Sequence, residues 1–194
     1  MRSHNFMKKY RHMPCVLCLI ENSDTHQLLM VKNLRGMNKG FYNFAGGKMN
    51  YGEDIKASLI REVKEETNLT LLDAKFIGRI DVVPAEVNKV HADTGDVQVY
   101  VFYSNRYKGE IKAACGEVDL CWFDRDKLPF DMMRDNDKVW VPEVLKGQMV
   151  NMRFYRNDEG KLVNVIKHKA DENCMDERFN YYKFMKRLIK RTAR

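Results

Sequence analysis

Apolar residues recur along this chain in two rhythms. Between residues 14 and 32, PCVLCLI and QLLMVK are near-continuous apolar runs of strand length, separated by a polar turn at 21–26, and they read as two strands. From residue 54 to 67 the period changes. Ile55, Leu59 and Val63 recur every four residues, with Ile60 and Thr67 beside them, as on one face of an amphipathic helix. Asn68 is suited to end that helix, because Asn tolerates the left-handed conformation that closes helices. Strand-like runs return at 75–83, 97–103 and 118–123, the first two separated by a polar loop at 84–95. Residues 128–137 read as mixed loop. Residues 140–146 read as a shorter helix with Pro142 in its first turn. Two more strands follow at 149–155 and 161–166, around a turn at 157–160. The stretch 33–50, rich in Gly and Asn, reads as a loop that holds a short aromatic piece at 41–44. Strands, helix, strands, helix and strands in that order predict an α+β or mixed α/β class, with helices packed on a sheet.

The end of the chain differs from its body. From residue 170 onward Phe179, Tyr182, Met185 and Ile189 fall at three- and four-residue spacings with basic residues around them. This predicts a basic amphipathic helical extension, 170–194, on a main domain of residues 1–169. Arg178, Lys183, Lys186, Arg187, Lys190, Arg191 and Arg194 stand in it with no acid after residue 178. Their charge equals the net +7 of the whole chain, so the remainder sums to zero. A basic excess ordinarily raises nucleic acid as a partner, but here it is a property of the tail. The tail can dock on its own domain, join copies of a monomer into a homodimer, or meet nucleic acid or an anionic membrane.

Composition narrows the classes. The 194 residues are 44% hydrophobic and 31% charged, a balance that suits one globular domain. No apolar run approaches the roughly 18–20 residues of a membrane span, and the first apolar stretch, 14–20, is short for a signal peptide. Five cysteines, an odd number in a chain of this size, suit reduced thiols and a cytoplasmic location. The Cys15-x-x-Cys18 pair lies inside a strand-like run and reads as core rather than as a redox or zinc motif.

The chemistry concentrates in residues 46–69, GGKMNYGEDIKASLIREVKEETNL. Glu62, Glu65 and Glu66 stand at i, i+3 and i+4 on the predicted helix, so their carboxylates share a face. Three acids crowded this way repel one another, and hard oxygen ligands in such a cluster suit Mg²⁺ or Mn²⁺. Arg61 is expected to point elsewhere. Glu53, just before the helix, can accept from the first-turn amides or pair with Arg61. Gly46 and Gly47 are expected to form a tight loop whose backbone carbonyl can approach a metal.

These residues follow the pattern G-x5-E-x7-R-E-U-x-E-E-x-G-U, with U apolar. Gly47, Glu53, Arg61, Glu62, Val63, Glu65, Glu66 and Leu69 match it, and Asn68 stands where the pattern has glycine. The chain therefore resembles the Nudix family. That resemblance implies an α/β/α sandwich around a mixed sheet, and hydrolysis of nucleoside diphosphates linked to another group. It implies divalent ions held by Glu62, Glu65, Glu66 and the Gly47 carbonyl, with Arg61 orienting a catalytic glutamate and Glu53 pairing with Arg61. Metals in such a site neutralise phosphate charge and activate water for in-line attack.

From Cys15 to about Val165 the chain is most similar to the MutT-type branch of that family. Asn43, in NFAGGK, stands where that branch has an asparagine that bonds the purine. Glu117, upstream of Trp122-Phe123, matches a glutamate implicated in metal binding or as base. LPFDMM is followed by Asn136, Asp137 and Trp140, where the branch carries two aspartates that read the purine edge and a tryptophan. The run FYRNDEGK after the second helix completes the likeness. Two departures matter. Met37 and Arg134 replace a phenylalanine and a tryptophan that clamp the purine; Met is adaptable and Arg can stack on a base. Asn136-Asp137 replaces two acids, and Asn offers both a donor and an acceptor.

The resemblance thus implies a Mg²⁺-dependent pyrophosphohydrolase of a purine (deoxy)nucleoside triphosphate, 8-oxo-dGTP being one candidate, with pyrophosphate as a product. Glu66 or Glu117 would assist the attacking water. Asn43, Asn136, Asp137, Trp140, Met37, Arg134 and Lys48 are the candidate substrate contacts. One alternative is an ADP-ribose or nucleotide-sugar pyrophosphatase, for which a proline beyond the motif, here Pro84, is the cue. Another is a non-catalytic nucleotide- or nucleic-acid-binding module.

Overall fold

A computed structural model describes residues 13–36, 38–50, 52–84, 97–113 and 116–171. Strand β1 (Met13–Asn22) runs through the middle of the molecule. It pairs in parallel with β7 (Val97–Ser104) and antiparallel with β4 (Ala45–Lys48). Beyond β7 come β6 (Lys75–Pro84), β10 (Val150–Arg156) and β11 (Leu162–Lys167), giving the order β11-β10-β6-β7-β1. The β6–β10 pair is parallel and its flanking pairs are antiparallel, so the sheet is mixed. The far end of β1 turns into β2 (Gln27–Asn33), which carries β3 (Tyr42–Asn43) and β9 (Val118–Asp124). A short ribbon joins β5 (Thr70–Leu71) to β8 (Tyr107–Lys108).

Two helices cover the sheet. Helix α1 (Ile55–Thr67) presses Leu59 and Val63 onto Val16, Cys18, Ile20, Tyr100 and Phe102. Helix α2 (Asp137–Leu145) presses Trp140, Val141 and Val144 into a second cluster with Leu19, Val101, Met152 and Phe154. Alternate residues of β1 and β7 thus feed two cores, which is why those strands read as unbroken apolar runs. This is the α/β/α sandwich expected from the sequence. Among the described residues, no helix is long and apolar enough to cross a membrane.

Helix α1 is closed at both ends by side chains. The Asp54 carboxylate accepts from the amides of Lys56 and Ala57, so Asp54, not Glu53, is the cap. Asn68 sits in the left-handed region at φ 63°, and its amide bonds the Lys64 carbonyl. Its side chain adds contacts glycine could not make: Lys64 Nζ donates to Oδ1 at 2.8 Å, and Nδ2 donates to the Glu110 carbonyl at 3.0 Å.

Three expectations are corrected. Residues 42–48, read as loop, supply the short strands β3 and β4; two- and four-residue strands are too brief to show a period. Helix α2 begins at Asp137, three residues earlier than its apolar pattern indicated. Pro142 therefore lies in its second turn, where it cannot donate to the Lys138 carbonyl. The predicted loop at 84–95 and the tail 170–194 fall largely outside the described residues.

Candidate active site

Gly46 and Gly47 are not a loop; they are paired across β4 to Leu17 and Val16. Their lack of side chains is nevertheless essential. Gly46 has φ +153°, and a Cβ there would stand 2.0 Å from the Val16 carbonyl oxygen. A Cβ on Gly47 would stand 2.3 Å from Glu62 Oε2. Close approach of bare backbone to helix α1 is what the two glycines permit.

Arg61 ties this corner together, and it does not point away from Glu62. Its Nη1 donates to Glu62 Oε1 at 2.7 Å and to Glu65 Oε2 at 3.2 Å. Its Nε and Nη2 grip the two Glu53 oxygens at 2.8 Å each, and Nη2 also reaches the Lys48 carbonyl at 3.1 Å. The Asn50 amide donates to Glu53 as well. The Arg61 hydrogen bonds hold the Glu53 carboxyl down to about 2, and Glu53 in turn raises the guanidinium well above its ordinary value.

Glu66 has a different setting. Its Oε2 accepts from the Gly46 amide at 2.9 Å, yet burial pushes its carboxyl up to about 7, with Glu62, Glu117 and Glu65 adding repulsion. Burial also raises Glu62, against the pull of Arg61. Glu117 is exposed at the start of β9 and pairs with Arg35. Lys48 is exposed, its carbonyl engaged by Arg61.

Among the described residues no three His, Cys, Asp or Glu side chains converge on one point as they stand. The reason is visible: Arg61 draws Glu62 and Glu65 to itself. The donor set still fits a hard divalent cation, since carboxylate oxygens flank a backbone gap that a single Cβ would fill. Glu65, with its side chain 59% exposed, is free to turn from Arg61 toward such an ion.

The second group of candidates gathers where α2 begins. Asp137 is buried. Its Oδ1 accepts from Trp140 Nε1 at 2.8 Å and Asn136 Nδ2 at 2.9 Å, and its Oδ2 from the Arg134 amide at 3.2 Å. Burial pushes this carboxyl up to about 6, opposed by those donors. Trp140 has no exposed surface and its indole N–H is spent on Asp137. It therefore stands behind Asp137 rather than on a ligand, and packs edge-on against Phe44 with ring centroids 5.8 Å apart. Arg134 lies over Phe41, 4.8 Å from the ring centroid, and its Nε donates to Asn38 Oδ1 at 3.1 Å. Asn43 Oδ1 accepts from the next amide, Phe44, at 2.8 Å. Met37 lies outside the described residues.

Sequence reasoning missed Arg35, Asn38, Phe41 and Arg156. Arg156 Nη2 donates to Asn136 Oδ1 at 2.6 Å, from the end of β10. It stands in the FYRNDEGK run already singled out, but nothing in that run says which residue it meets. The two groups are joined by the extended stretch 42–48, on which Asn43 precedes Gly46 and Gly47.

Comparison with known proteins sets this geometry in context. A family model described as NUDIX domain matches residues 11–144. An oxidized purine nucleoside triphosphate hydrolase of Danio rerio is 33% identical over 146 residues, covering 75% of this chain and 87% of its own length. An ADP-ribose pyrophosphatase of Methanocaldococcus jannaschii is 27% identical over 136 residues, 69% of this chain and 76% of the relative. Among solved structures, a MutT protein from Bacillus halodurans superposes with a TM-score of 0.67 at 22% identity, over 80% of this chain and 97% of that one. At that identity the last likeness speaks for the fold alone.

Proposed function

This chain belongs to the Nudix family of nucleotide hydrolases, and we propose that it cleaves a purine (deoxy)nucleoside triphosphate to the monophosphate and pyrophosphate with the help of Mg²⁺ or Mn²⁺. The observation that carries the reading is the carboxylate face of α1, held against bare glycine backbone by Arg61 and Glu53. Glu62, Glu65, Glu66 and the Gly47 carbonyl would hold the cation, with Glu117 a further candidate ligand. A bound cation would neutralise phosphate charge and lower the pKa of a water. Arg61 positions Glu62 and Glu65 through Nη1, and Glu53 fixes Arg61. Glu66, fixed by the Gly46 amide on the same face, or Glu117 would assist the attacking water.

Base recognition follows from hydrogen-bond capacity. Arg156 can only donate, so the Asn136 amide must turn its oxygen toward it. Ionised Asp137 can only accept, so the Asn136 nitrogen must face it. Two neighbours thus impose the same amide orientation. The pair offers a base edge one N–H donor beside one carboxylate acceptor, where two aspartates would offer acceptors only. An acceptor adjacent to a donor occurs on the edge of both 6-oxo and 6-amino purines. We infer a substrate range that includes both, 8-oxo-dGTP among them, with Arg134 on Phe41 as the stacking surface and Asn43 and Lys48 as further contacts. The reduced thiols of Cys18 and Cys121 suit a reducing compartment such as the cytoplasm.

A product assay with Mg²⁺ tests this. It compares 8-oxo-dGTP, dGTP, dATP and ADP-ribose, with a protein carrying Glu65→Gln and Glu66→Gln as control. Pyrophosphate from the triphosphates, lost in the control, is expected. Turnover of ADP-ribose alone, with ribose phosphate as product, would overturn it in favour of the activity named for the archaeal relative.

A further inference from the structure

A cavity lies at the other end of α2 from Asn136 and Asp137, on the face of the sheet that α2 covers. It encloses about 270 Å³ beneath the last turn of that helix, and none of the candidate nucleotide contacts lines it. Its walls are mostly apolar: Leu19, Leu28, Phe76, Val144, Leu145 and Met149. An engineered cavity of about 150 Å³ takes up benzene, so a space of this size holds a body of roughly ten heavy atoms. An apolar pocket with a few convergent polar groups is the usual form of a small-molecule site.

Three features of the chain shape this space. Strand β6 is bulged at Ile77, between Phe76 opposite Phe102 and Gly78 opposite Val101, and Ile77 lines the cavity. A bulge interrupts the ladder and re-aims side chains. Beside it, Gly78 lets β6 close on β10: a Cβ there would stand 2.4 Å from Val150 Cγ2 and 2.5 Å from its carbonyl oxygen. The third feature is a buried carboxylate. Glu21, at the end of β1 and 5% exposed, accepts from Tyr103 Oη at 2.9 Å and Arg125 Nη1 at 3.1 Å. Arg125 also donates to the Leu145 carbonyl, and both Tyr103 and Arg125 line the cavity. Glu21 thus fixes the polar side of the wall and joins the sheet to the helix end. Withdrawing charges from water is costly, and this network shares no residue with the carboxylate face of α1.

The charge of the lining is one-sided. Lys75 and Arg125 line the cavity, and no Asp or Glu does. Glu21 answers Arg125, whereas the exposed Lys75 has no ion-pair partner among the described residues. The C-terminal end of a helix ordinarily disfavours an anion, but here Arg125 already covers the Leu145 carbonyl. An apolar chamber with one unanswered cation at its mouth fits an amphiphilic anion. We propose that this cavity binds a small monocarboxylate with an apolar body of about eight carbons. Its tail lies among Leu19, Leu28 and Met149, and its head meets Lys75. The site is separate from that of the nucleotide and does not depend on it.

A methyl NMR titration of the full chain with sodium octanoate tests it, with 1-octanol as the neutral probe. Octanoate is expected to shift the methyl signals of Leu19, Leu28, Leu145 and Met149 and to leave those of Leu59 and Val63 on α1 in place. Lys75→Gln should weaken octanoate about two- to fivefold, as for a partly exposed ion pair, and leave octanol unchanged. Met149→Trp, which fills the chamber, should weaken both probes about tenfold or more; unaltered Leu59 and Val63 signals show that this variant is folded. Absence of shifts at the four cavity residues up to about 10 mM octanoate would overturn the proposal. So would equal octanoate affinity in the natural and Lys75→Gln proteins, or octanoate binding that Met149→Trp leaves intact.

Discussion

The two ends of the candidate site are built in different ways. The carboxylate end comes from one short stretch, 46–66, in which a strand of bare glycines meets the helix that follows it. Its side chains are set by helical periodicity and by a single arginine. The end around Asp137 comes from four separate places: Asn38 and Phe41, Asn43, Arg134 to Asp137, and Arg156. There, hydrogen bonds across sequence gaps decide which atom points where. Local construction suits chemistry common to a family, and distributed construction leaves specificity open to change at each contributor.

Substitutions can set the two ends apart. Glu66→Gln should act on turnover whatever the base, lowering kcat by about 10²–10⁴-fold as expected for loss of an acid–base group. Steady-state rates on two different purine triphosphates check this; unequal losses would blur the division. Gly47→Ala should cost about 10²-fold, because the new Cβ would collide with the Glu62 carboxylate and misplace it. The same paired rates apply, with thermal unfolding to show that the sheet survives.

Asn136→Asp should act at the other end. Replacing the donor by an acceptor favours guanine, whose N1–H and 2-amino group are adjacent donors, over adenine, whose N1 is an acceptor, shifting the ratio of kcat/KM by about 10–100-fold while the better substrate keeps its kcat. Arg156→Gln should move that ratio less, since Asp137 still holds the Asn136 nitrogen, and the same pair of kcat/KM values checks it.

The smallest effect is on stability against pH. Burial raises the Asp137 carboxyl from 3.8 to about 6. Between those values the folded protein binds this proton and the unfolded chain does not. Its contribution to stability is therefore present at acid pH and is lost as pH rises toward 6. Asp137→Asn should remove that part of the slope in Tm measured from about pH 4 to 7. An unchanged slope would mean that Asp137 stays ionised throughout the window.

Much of the fold was legible in the residues. Long strands and α1 showed their period because each is long enough to repeat it, and Asn68 marked the end of α1, whereas its N-terminal cap proved to be Asp54 rather than Glu53. Strands β3 and β4 were hidden because two to four residues carry no period. The start of α2 was hidden because its first turn, Asp137 and Lys138, is polar. At the site, the shared face of Glu62, Glu65 and Glu66 was visible, while the engagement of Arg61 with Glu62 was not. Adjacent residues on a helix diverge at Cβ, but a long guanidinium can bend back to a neighbour.

The sequence alone determined what local geometry can encode: the alternation of cores, the capped helix, and the carboxylates it presents beside two glycines. Tertiary structure decided what depends on partners distant in the chain. Arg156 turning the Asn136 amide, Arg125 tying Glu21 to the end of α2, and Gly46 donating to Glu66 all arise from contacts between segments far apart in sequence. No spacing along one segment specifies them, because a hydrogen bond is set by where two segments meet and by which of them can donate.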